Sequence, residues 1–185
     1  MAGMWRSLSS ILIAALILST GTAAGAQESA SCAKAARDVG DIIACAHDAV
    51  FSGAARCETT PPKTLVSPVA GRRVLQFEQP TLYGATSKGI VVETADDAAV
   101  RAPVSGTITF ASEFRSYGKL LIIDACGVVV IVAGTGPFAV AAGQSVAAGD
   151  EVARMRQTRA ELPVLYLEVR ERGRLIDPDG LLADE

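Results

Sequence analysis

Two hydrophobic patterns divide this chain, and the change between them falls near residue 63. Upstream, Ser31 to Phe51 is rich in alanine and places Val39, Ile42, Ile43, Ala46 and Val50 at helical spacing. Gly40 interrupts that run, so residues 27–62 are expected to hold two short helices or one bent helix. Thr59-Thr60-Pro61-Pro62 resists both helix and sheet and reads as a linker. Downstream, short β-rich runs alternate with glycine. Val74 to Phe77, Gly89 to Glu93, Ala99 to Ala102, Gly106 to Ala111, Lys119 to Ala125, Val128 to Ala133, Glu151 to Met155 and Val164 to Arg170 all read as strands. The runs Leu120-Leu121-Ile122-Ile123 and Val128-Val129-Val130-Ile131-Val132 are apolar throughout, as strands covered on both faces would be. Asp124-Ala125-Cys126-Gly127 joins them in a tight turn. The expected architecture is an all-β sandwich or small barrel over residues 63–185, with a short helical, cysteine-containing appendage before it.

A glycine–valine rhythm refines the β domain. Val140, Gly143, Val146, Gly149 and Val152 recur every third residue, glycines supplying turns where positive φ is cheap and valines facing inward. Ala102-Pro103-Val104-Ser105-Gly106-Thr107-Ile108 is a second strand–turn–strand unit. Such pairs occur in several barrel-sandwich folds, so they specify architecture and leave function open.

The first 26 residues have a different character. Arg6 precedes the apolar run Ile11 to Leu18, and Ala24-Gly25-Ala26 forms a small-residue cleavage site before Gln27. A secretory signal cleaved near Ala26 is expected, since a permanent membrane span takes roughly 20 apolar residues. Lipid attachment at Cys32 fits less well, because Ser29-Ala30-Ser31 lacks the branched apolar residue expected first. The exported chain, residues 27–185, would carry 16 basic residues against 20 acidic ones, a formal net charge of −4. That balance argues against nucleic acid as a ligand, and with the short apolar run removed no stable membrane insertion is expected after cleavage. Export permits disulfides, so Cys32, Cys45, Cys57 and Cys126 are candidate partners in any of three full pairings. Cys32 and Cys45 cannot meet within one straight helix, where 13 residues span about 20 Å. His47 is the only histidine and reads as a solvent-facing helix residue rather than a catalytic one.

Several motifs in register carry a family resemblance. Lys88-Gly89-Ile90-Val91-Val92, Val100-Arg101-Ala102, Ser105-Gly106, Tyr117-Gly118, the glycine–valine rhythm, Leu165-Tyr166-Leu167-Glu168-Val169-Arg170, Gly173 and Asp177-Pro178 run in order over residues 88–182. This stretch resembles the LytM domain of the lysostaphin-type zinc metallopeptidases, and most of all its degenerate branch, the EnvC-type murein hydrolase activators. The resemblance implies a duplicated hybrid-motif β-sandwich or barrel. Active relatives hold zinc through H-x-G-x-D and H-x-H segments. Those positions here are Ser87 and Val91, then Val164 and Tyr166, while a further active-site histidine falls at Gly134. Zinc wants about three nitrogen, sulfur or carboxylate ligands, so all the ligand positions are lost and no metal or other cofactor is expected.

The resemblance further implies a partner-binding groove formed by Lys88, Val91, Leu120, Tyr166 and Arg170. Val132 stands where the activators have another groove tyrosine. An apolar floor with a charged rim suits an amphipathic helix. The expected function is therefore that of a periplasmic pseudoenzyme that activates an N-acetylmuramoyl-L-alanine amidase and so supports cell separation. The alternative is a non-enzymatic module that binds peptidoglycan or another envelope protein. A biotin or lipoate carrier is excluded by the lack of any lysine after Lys119, and the appendage is too short for the activators' long coiled coil.

Overall fold

The structure, a computed structural model, describes residues 31–51, 61–82, 84–159 and 161–183. The signal-like segment and Cys57 lie outside the described residues. Among those described, the strands are β1 (Gly71–Leu75), β2 (Ile90–Thr94), β3 (Ala99–Arg101), β4 (Gly106–Phe114), β5 (Gly118–Ala125), β6 (Val128–Phe138), β7 (Ser145–Val146), β8 (Glu151–Met155), β9 (Val164–Glu171) and β10 (Arg174–Ile176). They hydrogen-bond in the order β1-β2-β9-β6-β5-β4-β7, with β10 beside β9 and β8 linking β6 to β3. Every pairing is antiparallel. The fold is thus the expected all-β domain with a short helical N-terminal segment.

Local chemistry explains most strand ends. Cys126 (φ 59°) and Gly127 (φ 89°) form the β5–β6 turn, and two successive positive φ values match the twist of a tight hairpin. Gly143 and Gly149 also take positive φ, and Val140, Val146 and Val152 face the core as the rhythm implied. β6 runs five residues beyond the expected Ala133. A register shift between Thr135 and Phe138 bends it away from β5 and β9 and onto β8, a kink that sequence alternation does not reveal. β1 begins at Gly71 rather than Val74 and slips register against β2 between Arg73 and Leu75. β7 and β10 have only two and three residues, too short for any periodicity.

The sheet separates two hydrophobic cores. Along β5, Leu121, Ile123 and Ala125 join the main core with Ile90, Val130, Val132, Leu165 and Leu167. The alternate residues Leu120 and Ile122 face the other way, with Phe110, Phe114, Ile131 and Ala133. Both sets are buried, which is why these strands read as unbroken apolar runs.

The second core is closed by the appendage. Residues 31–35 are helical, and helix α1 (Val39–Phe51) follows. The break falls at 36–38, ahead of Gly40, because Asp38 caps α1: its Oδ1 accepts from the Asp41 amide at 3.0 Å. Asp41 in turn accepts from the Arg37 amide at 2.8 Å, and that bond holds its carboxyl below the ordinary carboxylate range. Gly40 suits this cap, since a Cβ there would sit 3.1 Å from the capping oxygen. The bend folds the two pieces against each other, so Cys32 and Cys45 form a disulfide with Cα atoms 5.8 Å apart. Val39, Ile42 and Ala46 then lie against the sheet, and Arg115 donates to the Ala36 carbonyl at 2.7 Å from the β4–β5 turn. The appendage is the lid of a core. Cys126 is also disulfide-bonded.

Candidate functional site

Strand pairing brings several sequence-selected residues into one row. Val91 on β2 pairs with Tyr166 on β9, Tyr166 with Ala133 on β6, and Ala133 with Leu120 on β5. Because facing residues in a pleated sheet share a side, all four point toward the α1 face. Val91 and Tyr166, two positions that the resemblance aligns with metal ligands, are therefore direct neighbours. Ser87, the third, lies just before β2. It is buried and donates its hydroxyl to the Gly89 carbonyl at 2.6 Å. Val164 opens β9 opposite Glu93, and Gly134 follows Ala133. Gly134 has φ 84°, and a Cβ there would stand 2.5 Å from the Val164 carbonyl oxygen, so the backbone itself calls for glycine.

Two groove expectations need correction. Val132 pairs with Leu121 and Leu167 and belongs to the main core, on the opposite side of the sheet from Tyr166. It cannot line the groove, because a neighbouring residue on a strand faces the other way. Leu120 does face the α1 side but is fully buried beneath the helix. The open part of the row is Val91 and Tyr166, half-buried, with exposed Lys88 above them.

Arg170 is less a rim charge than part of a buried network. Its Nε donates to Glu168 Oε1 at 2.6 Å, and the Tyr166 hydroxyl donates to Glu168 Oε2 at 2.5 Å. Glu168 has no exposed surface. The motif pattern includes Glu168 without giving it a role. The signal available is its position: alternation puts Tyr166, Glu168 and Arg170 on one face of β9. Burial and the Glu168 hydrogen bond push the Tyr166 phenol far above its ordinary range, and burial chiefly raises Tyr117 as well. Both are protonated donors near neutrality. Phe114, Tyr117 and Tyr166 form an aromatic string with ring centroids 6.2 and 5.9 Å apart.

The α1 helix leaves one opening at its start and one along its flank. At its start a cavity of about 390 Å³ is lined by Arg37, Asp38, Lys88, Arg115, Tyr117 and Arg170, among others. Along its flank, from Gly40 to Asp48, a cavity of about 250 Å³ is lined by His47, Asp124 and Arg170 among others, with His47 Nε2 and Asp124 Oδ2 3.8 Å apart. His47 is thus half-exposed, as a solvent-facing residue, with a buried carboxylate within reach.

Residues 85–178 match the family described as Peptidase family M23. The chain belongs to that family. The chain is 30% identical over 148 residues to the outer membrane antigenic lipoprotein B of Haemophilus influenzae, covering 74% of this chain and 36% of that protein. Among solved structures it is similar to Helicobacter pylori Csd3, with TM-score 0.59, 20% identity, and 67% and 36% of the two chains covered. It is also similar to a chain of the SpoIIQ–SpoIIIAH pore-forming complex, with TM-score 0.55, 17% identity, and 65% and 91% covered. The chain spans 20% to 37% of the length of the curated relatives it matches.

The donor set of this M23 domain does not fit the family's zinc. Ser87 spends its hydroxyl on a carbonyl, Val91 offers hydrocarbon, and the Tyr166 phenol is held protonated on Glu168. Zinc binds imidazole, thiolate or carboxylate. No cluster of three or more His, Cys, Asp or Glu suited to a metal occurs among the described residues. Cys32, bonded to Cys45, has no free sulfur.

Proposed function

We propose that this M23 domain is a non-catalytic regulator of peptidoglycan hydrolysis that binds and activates a cell-wall N-acetylmuramoyl-L-alanine amidase. One observation carries the reading. Valine and a hydrogen-bonded tyrosine stand side by side, half-buried, close in sequence to an exposed lysine, at two positions that the resemblance equates with metal ligands. Such a surface binds by apolar contact and hydrogen bonding rather than by Lewis-acid chemistry. Because α1 covers Leu120, the partner's segment lies along β2 and β9, beside the helix and not across it. Docking there shifts the amidase toward its open state through differential affinity, and the chemistry stays with the partner.

The setting supports an envelope role. The H. influenzae relative is named as an outer membrane lipoprotein, and no helix among the described residues is long and apolar enough to cross a membrane. The SpoIIQ–SpoIIIAH pore-forming complex is an assembly of proteins that includes a similar domain, so this fold is compatible with protein partners. Periplasmic export with cleavage near Ala26 completes the reading.

The test is dye release from labelled peptidoglycan by the host's purified amidases, with and without this protein. Stimulation by the wild type, lost in Val91→Asp and absent without amidase, is the expected result. Tyr166→Ala is a poor probe, because it also removes a Glu168 hydrogen bond and an aromatic contact from the fold. No stimulation of any host amidase overturns the activator, and capture on insoluble peptidoglycan without amidase then selects the glycan-binding alternative. Release by the protein alone refutes the pseudoenzyme.

A further inference from the structure

The cavity at the start of α1 gathers charge that the rest of the molecule does not explain. Four cations converge on it from four separate stretches: Arg37 ahead of α1, Lys88 ahead of β2, Arg115 in the β4–β5 turn and Arg170 on β9. The chain as a whole is acidic, with 17 basic against 20 acidic residues. Two of these cations already have carboxylate partners, Arg170 on Glu168 and Arg37 on Asp41. Among the described residues the other two have none. Lys88 makes no ion pair among the described residues, and Arg115 meets only the Ala36 carbonyl and the Phe114 ring. Asp38 is the one acid lining the cavity, and its Oδ1 accepts from the Asp41 amide in the α1 cap.

We propose that this cleft is a carboxylate-binding site, with Lys88 and Arg115 as its charged donors and the Tyr117 hydroxyl beside them. Its ligand is an acidic side chain on the docking segment of a protein partner, which rests on the reading given above. The geometry favours that occupant. Lys88 lines this cleft and lies two residues ahead of β2, so a segment lying along Val91 and Tyr166 passes the cleft mouth. A guanidinium edge and an ammonium from separate elements give a carboxylate two charge-assisted bonds. Tyr117 is a protonated donor, so it adds a bond to an anion and repels none. The cleft holds about 390 Å³, room for one side chain and not for a helix. Arg115 adopts φ 45° at the turn, which fixes the direction in which it leaves the backbone.

The experiment needs no amidase. Capped peptides carrying one central glutamate, or glutamine at the same place, are titrated into the full exported chain and followed by NMR. Expected are shifts at Lys88, Arg115 and Tyr117 with the glutamate peptide, and a response about ten-fold weaker with glutamine, the share that a pair of charge-assisted bonds carries. The Lys88→Gln/Arg115→Gln variant loses the response with its remaining spectrum unchanged, whereas Lys88→Arg keeps it. Equal response to both peptides, or an unaltered response in the double variant, overturns the site. A free cell-wall tetrapeptide that binds more tightly than the glutamate peptide overturns the protein partner as its occupant. In dye release, the double variant lowers stimulation and flattens its salt dependence. Full stimulation by that variant refutes the cleft while leaving the activator reading intact.

Discussion

Replacing Arg170 by methionine isolates its ion pair with buried Glu168, on the α1 side of the sheet. Glu168 is fully buried and Arg170 is 17% exposed, with 2.6 Å between Nε and Oε1. Removing one partner of a buried pair costs roughly 3–5 kcal/mol, because the remaining charge is left without solvent. The partial exposure of Arg170 lets water approach the vacated space, which places the expected loss near the low end, about 3 kcal/mol. Glu168→Leu should cost a similar amount, since it strands the guanidinium and leaves the Tyr166 hydroxyl without its acceptor. The double variant Glu168→Leu/Arg170→Met has no buried charge, and its only orphan is that hydroxyl, worth about 1 kcal/mol. It should therefore be more stable than either single variant. Urea unfolding at pH 7 without reductant measures all four proteins, with stability read from midpoints at constant slope. A loss below about 1 kcal/mol in Arg170→Met, or a double variant whose loss equals the sum of the singles, would falsify the buried-pair account.

Three further outcomes are expected. Cys32→Ser/Cys45→Ser opens a loop of 13 residues and should cost about 3 kcal/mol by chain entropy, with faster hydrogen exchange over residues 31–51 than in the β strands. Ile42→Ala empties a fully buried site between α1 and the sheet and should cost roughly 2–5 kcal/mol in a denaturant midpoint assay, while Val91 stays as exposed as before. The third concerns pH. Tyr166 and Tyr117 are raised above the ordinary tyrosine value of 10.0, so the folded state holds protons that the unfolded state releases. Stability is then complete below about pH 10 and declines as pH rises beyond it. Tyrosinate absorbance should show these two phenols ionising above the ordinary tyrosine value; titration of all three tyrosines at that value in the folded protein would refute the burial.

Much of this molecule is legible in its sequence. Leu120 to Ile123 and Val128 to Val132 announce strands with two covered faces, and both faces are covered. Gly143 and Gly149 announce positive-φ turns. The resemblance puts Val91 and Tyr166 in one groove, and the structure pairs them on adjacent strands. What escapes has physical reasons. The resemblance assigns Val132 to the groove, but a strand alternates, and the residue beside Tyr166 on that face is Ala133. A single step of register exchanges floor for core. The helical spacing of Val39, Ile42 and Ala46 says that one face is buried without saying against what, because amphipathicity carries no address. Glu168 receives no role from the motif, since composition cannot tell a surface carboxylate from one enclosed between a phenol and a guanidinium.

The two-sided burial of β5 and β6 also bears on how the chain avoids trouble while it folds. From Leu120 to Ala133, charge appears only at Asp124, and the only other break is Cys126-Gly127. A stretch so apolar and β-prone is the part of this protein most apt to stack on copies of itself while unfolded. The sheet alone would satisfy one side and leave Leu120, Ile122 and Ile131 bare. The helix that covers them lies some 70 residues earlier in the chain, and synthesis runs from the N-terminus. The cover thus leaves the ribosome ahead of the surface it will shield, and its disulfide, closed within residues 32–45, needs no part of the sheet to form.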